Sequence, residues 1–186
     1  MVTMKKMLKF PFIALAMLLL VSSLLMAGCS ESVEDKESGL TSYEEYEITS
    51  NLTDYIENNI PSDLTFLLAD DWLFAYITSD DKISVTIETY GTMEYLVPYV
   101  AKDVVPVVKE AVEQSGLPLD SLRIQTYINT DAPDSVRQTV TTWKTEDFET
   151  GLFVSENNIR SSVTIDELLE EYADYADIVQ SIRNGE

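Results

Sequence analysis

No acidic residue occurs before Cys29, and all 33 of the chain's aspartates and glutamates follow it. Three of the twelve basic residues, Lys5, Lys6 and Lys9, lie in the leading segment, so the 158 residues from Cys29 onward carry 33 acids against nine bases, a net charge of −24. Five of the six methionines also precede Cys29. Such a partition describes two materials: a basic, apolar leader and a strongly acidic chain that must fold by itself. The acidic part repels phosphate backbones and bare anionic lipid, which excludes nucleic acid as a partner and directs attention to cationic or neutral ones.

The leader has a fixed grammar. Met1 to Lys9 is basic, Phe10 to Met26 is almost wholly apolar, and the segment closes on Leu25-Met26-Ala27-Gly28-Cys29, where small residues admit a peptidase. In these residues the chain resembles the bacterial lipoprotein family of signal peptides, whose lipobox is commonly Leu-x-x-Cys with small residues before the Cys. Ala27, Gly28 and Cys29 match position by position, while Met26 stands where Leu is commonest and Leu25 falls one place early. The resemblance implies removal of residues 1–28, diacylglycerol on the Cys29 thiol, further acyl chains such as palmitate, and Cys29 as the new N-terminus. Ser30 follows the Cys in place of the Asp that marks inner-membrane retention in many Gram-negative lipoproteins. The alternative is an uncleaved anchor, because the uncharged run Phe10–Gly28 is 19 residues long and can span a bilayer; Pro11 and Ser22-Ser23 count against it. Either arrangement holds the lysines inside and places the domain outside the cytoplasm. Two or more lipid chains, at about 0.8 kcal/mol per buried CH₂, hold a protein stably at the membrane.

Two absences limit the chemistry. Histidine is missing and Cys29 is the only cysteine, so Ser-His-Asp and Cys-His catalysis, intrachain disulfides and thiolate metal clusters are all excluded. No catalytic, cofactor or metal residue is assigned; the one site residue is Cys29, for lipidation.

Beyond the leader, residues 29–42 read as the lipidated Cys and a flexible acidic tether, and residues 43–186 as one domain. Ser42 with Glu45 predicts a helix cap, and Asn51 a second cap for a helix running to Asn59 before Pro61. Asp71–Ser79 and Lys82–Thr89 alternate in polarity about Asp80-Asp81, which predicts a β-hairpin. Helical spacing spans Thr92–Ser115, ended by Gly116 and Pro118, with Pro106 expected to kink or split it. A second hairpin follows, with Leu122, Ile124, Thr126 and Ile128 on one face of its first strand and Val136–Thr145 as its return, then a short strand at Leu152–Ser155. A last helix is signalled by Thr164 at the cap and Glu167 three residues on. The fold expected is α+β: one domain in which an antiparallel sheet of about four strands is covered on one face by helices, in the order α-ββ-α-ββ-α. The two hairpins share the echo Tyr76-Ile77-Thr78-Ser79-Asp80 and Tyr127-Ile128-Asn129-Thr130-Asp131, for which ordinary strand and turn chemistry is sufficient.

Several constellations bear on function. Asn129, Asp131 and Asp134 resemble oxygen ligands for Ca²⁺, but their spacing lacks the EF-hand pattern and reads as an Asx-rich turn. Asp70-Asp71 and Asp80-Asp81 are carboxylate pairs of the kind a glycosidase needs, at low specificity in so acidic a chain. Trp72, Phe74, Tyr76, Tyr127 and Trp143 can floor a ligand groove or take the weight of packed helices. The expected function is a lipid-anchored binding module of the cell envelope, with a protein or other cationic envelope component as its partner. The alternatives are a carboxylate-dependent hydrolase of envelope polymers and an immunity lipoprotein that excludes a phage or toxin.

Overall fold

A computed structural model describes residues 39–91, 93–128, 138–156 and 162–186, with the side chains of 127–128 and 138–140 left aside. All of them belong to the unit Glu37–Glu186. Cys29, the leader, most of the tether and the Asn129, Asp131 and Asp134 loop lie outside the described residues.

Helix α1, Ser42–Asn59, is capped one residue earlier than expected, by Thr41 and not Ser42. Thr41 accepts the Glu44 N–H on Oγ1, and the Glu44 carboxylate accepts the Thr41 N–H at 2.8 Å, a reciprocal capping box. The helix runs unbroken through Ile48-Thr49-Ser50, so Asn51 is an interior residue and not a second cap. Thr49 and Thr53 are accommodated because their hydroxyls donate to the carbonyls of Glu45 and Thr49 at 2.8 and 2.9 Å. Leu52 and Ile56 supply the buried stripe.

After a 3₁₀ turn at Ser62–Leu67, strands β1 (Leu68–Ile77) and β2 (Ile83–Thr89) form the expected hairpin. Its turn closes with the Thr78 N–H donating to the Lys82 carbonyl at 2.8 Å, and Asp81 adopts a left-handed φ of 56°, which aspartate tolerates better than most residues. Helix α2, Leu96–Ser115, then crosses the sheet and ends on Gly116 at φ 76°. It continues through Pro106 without dividing. A proline costs a helix interior about 3 kcal/mol. Val100 and Val104 before it, and Val108 and Ala111 after it, are all buried, and each fully buried valine contributes about 1.5–3 kcal/mol, so packing outweighs the missing hydrogen bond.

Because α2 returns the chain to the end of the sheet where β2 began, β3 (Leu119–Ile128) lies parallel to β2, with Val85 opposite Leu122 and Ile87 opposite Ile124. Each hairpin is antiparallel as expected, yet the two join in parallel, and the sheet is mixed. Strands β4 (Gln138–Thr145), β5 (Leu152–Ser155) and β6 (Val163–Thr164) complete six strands in the order β1-β2-β3-β4-β5-β6, against about four expected. Two residues are too few for β6 to show a period in the sequence.

The predicted last helix is divided. Its capping box is as read, with Thr164 and Glu167 bonded both ways, but α3 (Ile165–Glu171) gives way to a 3₁₀ turn at Ala173–Tyr175 before α4 (Ala176–Arg183). The Tyr172 carbonyl, which a continuous helix would present to the residue four places on, accepts from the Tyr99 hydroxyl at 3.0 Å and the Tyr175 N–H at 3.0 Å. Tyr175 in turn stacks on Tyr95 with ring centroids 4.4 Å apart. Arg183 then fastens α4 to the first 3₁₀ turn and to α2 through 2.7 Å bonds to Asp63 and Asp103.

Candidate functional site

The sheet has an apolar face, where Ile83, Val85, Ile87, Leu122, Ile124 and Trp143 are buried beneath the helices, and a polar face. Trp143, 1% exposed, is thus a core residue, and Trp72 is half-buried, whereas Phe74 and Tyr76 are 41% and 51% exposed. The aromatic set read from sequence therefore separates into packing and surface members. The side chain of Tyr127 lies outside the described residues.

The carboxylate pairs separate as well. Asp70 and Asp71 stand exposed near the start of β1, while Asp80 and Asp81 form the hairpin turn at its far end, where Asp81 accepts the Gly39 N–H at 3.2 Å. Asp71 to Ile77 alone spans roughly 20 Å of strand. That exceeds the separation of about 5–9.5 Å at which two carboxylates flank one glycosidic bond, so the pairs do not work together. Among the described residues no three metal-ligating side chains converge.

On the polar face several polar side chains are buried. Ser84 and Ser121 are fully covered; the Ser84 hydroxyl donates to Asp120 at 2.9 Å, and Arg123 donates to Ser121 Oγ at 2.8 Å and pairs with Glu156 at 3.6 Å. Glu88, also buried, accepts from Gln125 at 2.8 Å. Arg123 and Lys144 face each other across β3 and β4, a repulsive placement that Glu156 and Glu146 offset, the latter at 2.8 Å from Lys144. The signal for this ladder is the recurrence of polar side chains at alternate positions of β2 and β3, Ser84, Thr86 and Glu88 beside Ser121, Arg123 and Gln125. These bonds tie β2, β3 and the segment after β5 together on this face.

A groove with unspent capacity runs between α1 and β1. Tyr46, Thr49, Ser50 and Thr53 line one side, Leu73, Phe74 and Ala75 the other, around a space of about 360 Å³. Successive side chains of a strand point to opposite faces, so three consecutive residues lining one groove means that it opens along the strand's edge. β1 is the end strand of the sheet. Two hydrogen bonds set its parity: Thr78 N–H bonds across to Lys82, and Ile83 N–H points the other way, to the Pro118 carbonyl at 2.9 Å. Thr78, Tyr76 and Phe74 therefore bond toward β2, and the N–H and C=O groups of Leu73, Ala75 and Ile77 point outward. α1 carries Glu44, Glu45, Glu47, Asp54 and Glu57 and β1 carries Asp70 and Asp71, with no basic residue in either element. The hydroxyls of Thr49 and Thr53 are already committed to the helix backbone. The groove can thus offer aromatic surface and main-chain bonds, between elements that are negatively charged.

A second space of about 300 Å³ lies between α1 and α2, beside Tyr55, Gln114 and Ala111. There Glu110 accepts a hydrogen bond from the Tyr55 hydroxyl and holds its pKa above the ordinary tyrosine value. No helix among the described residues is long and apolar enough to cross a membrane. Comparison with known proteins returns no matching family model, no matching curated protein and no matching solved structure.

Proposed function

We propose that this chain is a lipid-anchored binding module of the cell envelope, held outside the cytoplasm through Cys29, whose α1–β1 groove receives a cationic protein segment. The observation that carries the reading is the groove itself: a strand edge and the exposed rings of Tyr46 and Phe74, set between two elements that together carry seven acids and no base. The net charge of −24 steers a cationic partner toward the domain, and ions screen that attraction over about 8 Å at physiological salt. Short-range affinity then comes from Phe74 and Tyr76, whose rings favour apolar stems and cations alike.

Two measurements test the two halves. Mass spectrometry of the native protein is expected to find a diacylated Cys29 as its N-terminus, and a membrane-bound form retaining Met1 would refute lipidation. Association rates with a lysine decapeptide are expected to fall steeply from low to high salt, while a glutamate decapeptide fails to bind. A lysine-peptide rate indifferent to salt would return the acidic surface to the role of keeping the domain dispersed.

A further inference from the structure

The parity of β1 specifies how a partner is held. We propose that a basic, extended peptide segment of a partner protein pairs with β1 as an added strand, bonding to the outward backbone of Leu73, Ala75 and Ile77 and lying in the groove beside α1. The inference rests on the binding-module reading above and gives that site its mode of recognition.

Four observations converge on it. Leu73 to Ile77 is regular strand, paired residue for residue with Ile87 to Ile83, so its outer edge offers main-chain groups at strand spacing over about 14 Å. Before Leu73 the register is broken: from Leu68 to Leu73 the chain advances five residues while β2 advances two, from Ile87 to Thr89, and exposed Asp70 and Asp71 lie in the resulting bulge. Bulges and charges on an edge block pairing, so the competent stretch has a defined beginning, and the Thr78–Lys82 turn gives it an end. The groove supplies room for a backbone beside Leu73–Ala75, the first part of that stretch. Finally, an added strand would set its alternate side chains beside Phe74 and Tyr76 on one face and toward α1 on the other, as strand-addition complexes do.

Charge selects the occupant. A second copy would bring Asp70, Asp71 and the acids of α1 against their equivalents, and the chain's own segment Ser30–Ser38 carries four acids with Lys36 as its one base. Both are repelled where a lysine- or arginine-bearing strand is attracted.

The test uses the full chain in zwitterionic detergent and two ten-residue probes of equal charge: alternating Lys-Thr, and the same peptide with its central amides N-methylated. The expected result is binding of the first at low salt, at least tenfold weaker binding of the second, and new hydrogen-exchange protection confined to Leu73, Ala75 and Ile77 within β1. Ala75→Pro, which removes one outward N–H, is expected to weaken the first probe at least tenfold while circular dichroism remains that of the parent. Equal binding of both probes within twofold would overturn strand addition and leave a groove that recognises charge alone. Failure of both probes to bind at low salt would overturn the binding-module reading along with it. A concentration-dependent dimer abolished by Ala75→Pro would make the occupant a second copy and refute the basic segment. Should Ala75→Pro fail to fold, the N-methylated probe on the parent chain decides alone.

Discussion

The two ends of the sheet meet the edge problem in opposite ways. β6 is two residues long, and its second residue, Thr164, already caps α3, so the chain turns into a helix before an edge of any length develops. β1 is ten residues long, blunted only in its first half by the acidic bulge, and then runs regularly for five residues beside an open groove. Natural sheets shorten, charge or cover their edges to avoid unwanted pairing. The contrast teaches that this chain closes one edge by the cheapest means available and keeps the other competent, which is what a strand-binding module requires.

The sharpest way to break the comparison is to place proline on either member of one cross-strand pair. Ala75 and Val85 face each other, but the Val85 N–H points to β3 whereas the Ala75 N–H points outward. Val85→Pro is expected to cost more than about 3 kcal/mol and to abolish cooperative urea unfolding, while Ala75→Pro costs less than about 1 kcal/mol. At the closed edge, Leu168 of α3 is fully buried, and Leu168→Ala should cost about 2–5 kcal/mol by the same measurement.

Arg183 sharpens the comparison through pH. Its guanidinium bond holds the Asp63 carboxyl below the usual carboxylate range, and Asp63 in return raises the arginine. A carboxylate depressed on folding contributes stability that is complete above its unfolded pKa, about 3.9, and is lost as pH falls through the lower folded value. Arg183→Met is therefore expected to lower stability by about 2 kcal/mol at pH 7 and to flatten the loss on acidification below about pH 4. Capping effects are smaller. Thr164→Ala should cost about 1 kcal/mol and loosen the β6 edge, and Thr41→Ala a similar amount at the start of α1. A larger cost at Thr41 than at Thr164 would show that the open edge depends on α1 more than its geometry indicates.

Much of the local structure was legible. The alternation about Asp80-Asp81, the stripe through Val100, Val104 and Val108 closed by Gly116, and the Thr164–Glu167 box each report a short-range preference that the fold preserves. What was hidden depends on partners distant in sequence. The parallel join of β2 to β3 follows from the length of α2 laid across the sheet, and the break at Tyr172 follows from the hydroxyl of Tyr99. Thr41 is not distinguishable as the cap from sequence, because Ser42 one residue away caps equally well. The groove could not be read at all: Tyr46, Thr53 and Phe74 meet only after α1 has packed beside β1, and the outward parity of Ala75 is set by a turn bond at Thr78.

The open edge is tested most directly by residue-resolved amide hydrogen exchange of the unliganded full chain. The account predicts alternation along β1, with Phe74 and Tyr76 protected by their bonds to β2 and Leu73, Ala75 and Ile77 exchanging near unprotected rates, while Ile83, Val85 and Ile87 on the central strand are slow throughout. Equal protection of Leu73, Ala75 and Ile77 with their neighbours would mean that β1 is already paired in the free protein, and would contradict an edge held open for a partner.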